Sequence, residues 1–401
     1  MTFIHGDHDK GLPPVFTIRK GEGMRFPDDV PRLTDGEVAL RAHVPEDAQG
    51  SYEQCQDPLS QAWTTVPVPY SMADAREFVA GIVPGGWRED RDWAFAVDAL
   101  HEGRPRYAGT ISLRPMGARR AEVAYGSHPW CRGTGVMERA LRLLLAWGFD
   151  HQDLAAVVWW ANKGNWPSRR LAWRLGFTVE GTVRSYLPQR GELRDGWVGT
   201  LLRDDPREPR STWYDAPTIL GERVVLRGFR DTDTERIREA CSDKRTQHWL
   251  HRIPDPYTEA DAAAFVETRR EVMAAGNGIA WAVADAETDE LLANISLFDV
   301  KPGREGEIGY WTHPDARGRG VMTEACGLVV RHAFVPVEDG GLGLRKVLVS
   351  AAETNTASRR VIEANGFVAN GREREGIELR DGTFDDSIVY DLLEREYPGV
   401  G

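Results

Sequence analysis

Two glycine-rich turns, RGTGVM at residues 132–137 and RGRGVM at residues 317–322, are the strongest chemical signal in this sequence. Each turn precedes a stretch with the apolar spacing of an α-helix. The free N–H groups and positive dipole end of a helix N-terminus can hold a phosphate, and glycine lets the backbone approach it closely. Neither turn has the Gly-Lys-Ser/Thr of a Walker A loop, and neither is a GxGxxG after a buried parallel strand. The turns therefore predict a phosphate cradle and disfavour nucleotide hydrolysis and nicotinamide binding.

A second repeated pattern, Asn-x-x-Ser, lies downstream of each turn, from Asn165 to Ser168 and from Asn355 to Ser358. Asparagine before a helical stretch is a common N-cap, so the pattern predicts a helix start in each copy. A serine on the solvent face of the helix is one interpretation of Ser168 and Ser358. Their recurrence at the same place favours the other interpretation, a role in chemistry.

These patterns belong to a longer internal repeat. Nine of the 17 residues in 121–137 are identical to their counterparts in 306–322. Residues 165–177 likewise match 355–367, and the matching segments occur in the same order in both halves. Such self-similarity indicates that one structural unit has been duplicated.

The duplication predicts two domains, residues 31–203 and 214–397, each of a size that one hydrophobic core supports. Residues 204–213 are rich in proline and charge, so we predict an exposed linker there. Residues 1–30 have no counterpart in the second copy and form an N-terminal extension to which no role is assigned.

The elements that must position the two patterns follow from periodicity. Each copy begins with an alternating strand, continues through a helix into three meander strands, and then reaches the glycine-rich turn and its helix. Ser71 and Thr258 stand three residues before Asp74 and Asp261, which is close to a capping box and predicts a helix start. A further strand, a second helix and the last strands complete the copy. We predict a layered α+β architecture with a mixed sheet flanked by helices.

The turn, the Asn-x-x-Ser pattern and the Gly-Phe that follows resemble the GNAT superfamily of N-acetyltransferases, particularly its RimJ/RimL-like branch of ribosomal-protein N-acetyltransferases. The family's acyl-CoA signature is Arg/Gln-x-x-Gly-x-Gly/Ala. Arg132-x-x-Gly135 and Arg317-x-x-Gly320 match it, while methionine takes the sixth position in both copies. The resemblance covers nearly all of both predicted domains.

The resemblance implies a GNAT-like fold in each half, whose central sheet splays into a V that holds the pantetheine of acetyl-CoA. It implies a bulge near Ala124 or Gly309 that aims a backbone N–H at the thioester carbonyl. It also implies that Ser168 and Ser358 contact or protonate the departing CoA thiolate. The residues it assigns to binding acetyl-CoA are Tyr125, Arg132, Gly133, Thr134, Gly135, Val136, Met137, Asn165, Tyr310, Arg317, Gly318, Arg319, Gly320, Val321, Met322 and Asn355.

Glu122 and Glu307, at equivalent places on the strand beside the cleft, are candidates for a catalytic base acting directly or through water. An exposed glutamate without a catalytic role is the alternative. An α-amine, with a pKa near 7.7–8.0, needs little help from a base, whereas a lysine needs more. Trp159 and Trp160 of the first copy correspond to Val349 and Ser350 of the second, which predicts that the acceptor pockets differ.

Composition limits the partners and the cellular compartment that we expect for this protein. A formal charge of −12 argues against a nucleic-acid partner and favours amines or basic peptides. No apolar run approaches the roughly 20 residues of a membrane span, and the first residues do not resemble a secretory signal. The four cysteines form no CxxC pair, so we expect a reducing cytoplasm, no disulfide framework and no metal site.

We therefore predict an N-acetyltransferase that moves the acetyl group of acetyl-CoA to a primary amine by direct attack. The acceptor would be a peptide or protein N-terminus, or a small-molecule amine. A non-catalytic acyl-CoA-binding or peptide-binding module, and transfer of another acyl group such as succinyl, are the alternatives. Either a monomer or a homodimer is compatible with two fused copies.

Overall fold

The computed structural model describes residues 25–398. The chain divides into two compact units between Arg210 and Ser211, inside the segment 204–213. Most of the predicted N-terminal extension, residues 1–24, lies outside the described residues. We refer to the two units as the first and second domains.

Two segments predicted to lie outside the domains contact the first one. Phe26 and Val30 pack against its hydrophobic core. Arg207 donates a hydrogen bond to the carbonyl oxygen of Leu202 at 3.0 Å, and its guanidinium lies 4.3 Å from the centre of the Phe149 ring. The first part of the predicted linker is therefore packed, because an arginine can cover an aromatic face while bonding the backbone.

The first domain is built on one eight-stranded sheet with helices on its faces. Its strands are β1 (Leu33–Thr34), β2 (Val38–Arg41), β3 (Trp93–His101), β4 (Arg104–Gly117), β5 (Arg120–Ser127), β6 (Ala156–Asn162), β7 (Thr178–Gln189) and β8 (Glu192–Leu202). Its helices are α1 (Asp47–Gln56), α2 (Pro58–Trp63), α3 (Met72–Glu77), α4 (Val83–Arg88), α5 (Val136–Asp150) and α6 (Trp166–Arg174), with a π-helical turn at Phe78–Ile82.

The second domain repeats this plan. Its strands are β9 (Ile219–Leu220), β10 (Val224–Arg227), β11 (Gly278–Asp285), β12 (Leu291–Lys301), β13 (Glu305–Thr312), β14 (Lys346–Ala352), β15 (Val368–Glu378) and β16 (Phe384–Leu393). Its helices are α7 (Thr234–Ser242), α8 (Lys244–Trp249), α9 (Glu259–Ala274), α10 (Val321–Phe334) and α11 (Thr356–Ala364).

The strands are ordered β1-β2-β3-β4-β5-β6-β8-β7 in the first sheet and β9-β10-β11-β12-β13-β14-β16-β15 in the second. Among the described strands, β5 with β6 and β13 with β14 are the parallel pairs, and all other pairs are antiparallel. The predicted α+β architecture with a mixed sheet in each half is confirmed.

The parallel pair splays apart in both sheets. β5 pairs with β6 only as far as Val123 opposite Trp159, and β13 pairs with β14 only as far as Ile308 opposite Val349. Both strands of each pair continue beyond these residues. The predicted V-shaped opening is therefore present, and backbone groups along its edges are free to bind a ligand.

The predicted bulge near Ala124 or Gly309 is wrong. The ladder of β4 and β5 runs through Ala124 without a shift, and that of β12 and β13 runs through Gly309 in the same way. His128 N–H bonds to the carbonyl of Ala108 across the same ladder, at 2.8 Å. Because N–H directions alternate along an antiparallel strand, Ala124 faces β4 and Tyr125 directs its N–H toward the opening. Regular alternation supplies the donor without a bulge.

Helix starts and ends follow their local sequence signals. Ser71 with Asp74 and Thr258 with Asp261 form reciprocal capping boxes at α3 and α9, as predicted. Gly176, after α6, has φ 86°, a left-handed conformation that glycine adopts without strain. The helix that follows each glycine-rich turn buries its apolar face in the domain core. The buried residues of this face include Met137, Ala140, Leu141 and Leu144 in α5, and Met322, Ala325, Val329 and Ala333 in α10.

Candidate active site

Each glycine-rich turn leaves the first N–H groups of a helix open. Gly135 and Gly320 are the N-cap residues of α5 and α10, with φ 83° and 77°. Gly133 and Gly318 are also left-handed, at φ 75° and 72°. No side chain within residues 25–398 caps either helix. The N–H groups of the first turn therefore remain available to an anion.

Three side chains of these turns make structural contacts within the domains. Met137 and Met322, at the sixth position of the motif, are buried in the domain cores. The Thr134 hydroxyl donates to the carbonyl of Cys131 at 2.6 Å. A large apolar residue fits the sixth position because its side chain leaves the turn for the core, so its backbone N–H can still face a ligand.

The motif arginines already bind carboxylates. Arg132 lies 2.6 Å from a carboxylate oxygen of Asp57 and donates to the Ser60 hydroxyl at 2.9 Å. The same contacts recur in the second domain, at 2.5 and 2.8 Å, among Arg317, Asp243 and Thr246. Since Asp57 is the N-cap of α2, each arginine anchors a short helix to the turn. A phosphate contact by these two arginines stays a prediction.

A tyrosine and a serine meet across each opening. The Tyr125 hydroxyl lies 2.8 Å from Ser168 Oγ, and the Tyr310 hydroxyl lies 2.9 Å from Ser358 Oγ. Burial raises the pKa of both tyrosines. Both phenols therefore stay protonated at neutral pH. The structure thus brings together residues that lie more than forty positions apart in each copy.

The first domain adds an indole to this pair. Trp159 Nε1–H lies 3.2 Å from the Tyr125 hydroxyl and 3.1 Å from Ser168 Oγ. The second domain has Val349 at this position. The exchange is compensated across the sheet, because Trp159 faces Gly199 whereas Val349 faces Tyr390. A large residue faces a small one in the first domain, and a small residue faces a large one in the second. The two pairs therefore fill a similar volume.

Both asparagines cap their helices. The side-chain oxygen of Asn165 accepts from the N–H of Ser168 at 3.3 Å, and that of Asn355 accepts from Ser358 at 3.2 Å. The predicted N-cap is confirmed. The cap fixes the first turn of each helix and so holds the serine toward its tyrosine.

The two candidate bases have different surroundings. Glu122 lies opposite Arg114 on β4, with 3.4 Å between their charged groups. Glu307 lies opposite Phe298 on β12, and within the described part of the chain it has no ion-pair partner. Burial raises the pKa of Glu307, and the negative charge of Asp299 adds to this, while a hydrogen bond with Ser350 opposes it. Glu307 is therefore more basic than a glutamate in water.

A cavity of about 510 Å³ occupies the opening of the second domain. It brings together Tyr310, the glycine-rich turn, Asn355 and Ser358. Residues that sequence reasoning missed also line it. They are Arg245, Thr246, Trp249, Leu250, Trp311, Thr312, Ala316, Thr323, Ala357, Arg360 and Val361. The lining residues from α8 lie far along the chain from the turn. A sequence signal for that helix does exist, because Asp243 and Thr246 occupy the places that Asp57 and Ser60 hold in the first copy.

Other polar residues with repeated or suggestive positions are structural. His128 and His313 are buried and lie 3.2 Å from Glu53 and Glu239, where they hold the turn after the strand. Glu324 accepts the N–H of Arg223 at 3.0 Å. Its counterpart Arg139 instead binds acids of the first domain.

Within residues 25–398, no group of three or more His, Cys, Asp or Glu side chains is placed to hold a metal ion. All four cysteines are buried free thiols. None of the described helices is both long enough and apolar enough to pass through a membrane.

Comparison with known proteins gives the same assignment for both halves. The family model described as "Acetyltransferase (GNAT) domain" matches the chain twice, at residues 37–178 and 223–368. These two matches together take in more than half of the chain.

Individual relatives each match about one domain or less. YdaF of Bacillus subtilis, named as a ribosomal N-acetyltransferase, is 32% identical over 186 residues, which is 45% of this chain and 96% of YdaF. The ribosomal-protein-serine acetyltransferase of Escherichia coli is 29% identical over 103 residues, or 25% of this chain and 54% of that protein. A GNAT-family acetyltransferase structure from Bacillus anthracis is 24% identical with a TM-score of 0.39, and covers 45% of this chain and 100% of its own.

Proposed function

The chain belongs to the GNAT acetyltransferase family, and we propose that it transfers the acetyl group of acetyl-CoA to the N-terminal amine of a peptide or protein. The observation that carries this proposal is the second domain's opening, where an uncapped helix N-terminus and the Tyr310–Ser358 pair line one cavity. The names of the two curated relatives support a protein acceptor. Transfer to a small-molecule amine is the alternative outcome.

The proposed reaction is direct attack. The lone pair of a neutral amine forms a C–N bond to the thioester carbonyl carbon, and the C–S bond then breaks, leaving CoA as a thiolate. The amine gives up a proton to Glu307, directly or through water, and the thiolate takes a proton from the Tyr310–Ser358 pair. The N–H of Tyr310, which faces the opening, would stabilise the carbonyl oxygen as it becomes negative.

Proton counting supports the role of the tyrosine–serine pair. Two hydroxyl groups carry two protons, and one of them forms the hydrogen bond between the groups. In the second domain the Tyr310 hydroxyl also lies 3.2 Å from the carbonyl oxygen of Ser358, so donating the other proton to the thiolate would exchange this hydrogen bond for a stronger one to an anion. In the first domain the Trp159 N–H can only donate, so it occupies acceptor lone pairs and leaves that proton available. Ser168 and Ser358 would thus act with Tyr125 and Tyr310 rather than alone.

We propose that the glycine-rich turns hold the CoA pyrophosphate through backbone N–H groups. The open space at the turns fits this role, since nothing among the described residues lies within 4 Å of a Cβ built on Gly133, Gly135 or Gly318. Their positive φ values restrict these positions to glycine without strain. In this proposal the turn holds the phosphate and the Tyr310–Ser358 pair donates the proton at one opening, and the proposed base, Glu307, lies on the same strand as Tyr310.

The direct test is to incubate the full chain with acetyl-CoA and a set of peptides with free N-termini. We expect release of free CoA thiol and a matching gain of one acetyl group on the peptide, measured by thiol titration and mass spectrometry. Peptides with a blocked N-terminus are the control. Binding of acetyl-CoA without thiol release would favour a non-catalytic module, and turnover with succinyl-CoA alone would change the acyl group.

Removing the proton donor should slow the reaction without weakening cofactor binding. We expect Tyr310→Phe and Ser358→Ala each to lower kcat of the second domain by about 100-fold, at the lower end of general acid catalysis. The dissociation constant of acetyl-CoA, measured by calorimetry, should change little. Tyr125→Phe makes the same change in the first domain and shows how much turnover occurs there. An unchanged kcat in both tyrosine variants would contradict the proposed donor.

A further inference from the structure

A second cavity of about 740 Å³ adjoins the first one in the second domain. Trp249 and Leu250 line both cavities. A molecule in the second cavity therefore reaches the opening beside these two side chains. This position is where an acceptor would approach the bound acyl group.

The walls of the second cavity are apolar and its charges are mostly negative. Phe298 and Phe384 lie among its aromatic and aliphatic lining, and Glu375 and Glu378 supply carboxylates. Glu307 is directly opposite Phe298 on the neighbouring strand. The lining itself thus carries two acids, one exposed arginine and one histidine, and Glu307 is a third acid beside it. The histidine, His251, lies 3.5 Å from Glu378.

The first domain has different residues at the equivalent positions. Arg114 replaces Phe298, as the pairing opposite Glu122 and Glu307 shows, and it forms an ion pair with Glu122. The register of the last hairpin gives two more equivalences, because Leu187 faces Arg194 as Ile377 faces Asp385. Ser185 and Pro188 thus replace Glu375 and Glu378. The first domain has lost two of the carboxylates and neutralised the third.

Bulk also differs between the domains. Trp160 stacks on Tyr186 in the first domain, with ring centres 4.6 Å apart and planes inclined by 26°. The same strand positions hold Ser350 and Gly376 in the second domain, and Ser350 is exposed. The stack therefore covers a surface that is left open in the second domain.

We propose that the two domains select different acceptors and that residues 298 and 114 are the main determinants of this difference. The second domain takes the N-terminus of a basic peptide that carries an apolar side chain near its amine. The first domain rejects that peptide because it lacks the two glutamates, because Arg114 offsets the charge of Glu122, and because the Trp160–Tyr186 stack reduces the space. This inference rests on the proposed acetyl transfer and names the substrate class of the second domain.

Two effects favour such a peptide in the second domain. An apolar side chain gains free energy by leaving water for the wall formed by Phe298, Phe384 and their neighbours. Carboxylates beside a low-dielectric wall attract a cation more strongly than they would in water. A peptide that is both basic and apolar therefore gains from apolar burial and from charge attraction in the second domain.

Three peptides of equal length with free N-termini test the proposal. One carries Lys and Phe after the first residue, one carries Lys and Ser, and one carries Glu and Phe. We expect kcat/KM for the first to exceed each of the others by about tenfold or more. Binding of the same peptides to the full chain in the presence of CoA, measured by fluorescence polarisation, should follow the same order.

Phe298→Arg gives the second domain the first domain's residue. We expect it to remove the preference and to weaken binding of the Lys-Phe peptide about tenfold, while acetyl-CoA affinity is unchanged. Glu375→Gln combined with Glu378→Gln should reduce the preference for Lys over Glu. Leu220→Arg makes the same charge change at an exposed residue of β9, on the opposite edge of the sheet, and is the matched control.

Two outcomes separate the inference from the proposed function. Equal binding and equal turnover of the three peptides would overturn the inference and leave acetyl transfer intact. Absence of thiol release with every peptide would overturn the transfer itself. Polarisation would then still report whether the cavity discriminates between the peptides.

Discussion

Replacing Gly320 by glutamate is expected to weaken acetyl-CoA binding to the second domain by about 100-fold or more, which corresponds to about 3 kcal/mol. Gly320 is the N-cap of α10, where the first N–H groups of the helix are open. A carboxylate there repels the pyrophosphate and offers the helix N-terminus an internal anion that competes with the ligand. Titration of acetyl-CoA by calorimetry measures the loss.

The control for this variant must reproduce its backbone strain. Gly303→Glu does so, because Gly303 is also left-handed, at φ 67°, and lies in the hairpin between β12 and β13, at the end of β13 remote from the turn. We expect Gly303→Glu to bind acetyl-CoA as the wild type does. If both variants lose binding equally, the loss comes from strain and the phosphate cradle is not at Gly320.

The same pair of substitutions can be made in the first domain at Gly135 and Gly117, which have φ 83° and 75°. Loss of one class of sites with Gly135→Glu and of another with Gly320→Glu would show two working clefts. Loss with one variant alone would assign binding to that domain. Binding by a protein that carries both substitutions would contradict the role proposed for the turns.

Glu307→Gln is expected to lower kcat by about 100-fold or more, the size of a general base contribution. The substitution keeps the shape of the side chain and removes its ability to take a proton. A carboxyl group acts as a base only when ionised, and burial raises the pKa of Glu307. The wild-type rate should therefore fall as the pH falls through that raised pKa.

The pH profile distinguishes this role from a structural one. The amine acceptor also titrates, near pH 7.7–8.0 for an α-amine, so the wild type should show two limbs. The Gln variant should keep only the limb of the amine. Glu122→Gln is the matched variant, and we expect a smaller change because Arg114 already neutralises Glu122. A Gln variant that retains both limbs would rule out Glu307 as the base.

Sequence periodicity and duplication predicted much of the fold because they depend on local rules. The capping boxes at Ser71 and Thr258 and the asparagine caps involve residues three positions apart. The bulge that the family resemblance implied is absent, because the register of a ladder depends on the partner strand as well as on the strand itself.

The candidate site divides in the same way. The glycine-rich turns were evident in the sequence because positive φ and close approach restrict residue type at each position. Contacts of Arg132 with Asp57, and of Tyr125 with Ser168, join positions far apart in the chain. A motif shows which residue types could take part in chemistry. It does not show which distant residues will pair with them in the folded chain.

The sequence by itself therefore determined that this protein has two similar domains, each with a glycine-rich turn before a helix and a paired asparagine and serine. Only the tertiary structure decided how the two clefts differ. Glu122 and Glu307 occupy the same strand position, yet one faces Arg114 and the other Phe298. The reason is physical, because the pKa and the selectivity of a side chain are set by charge and burial in three dimensions, and a strand pairing brings those neighbours from elsewhere in the sequence.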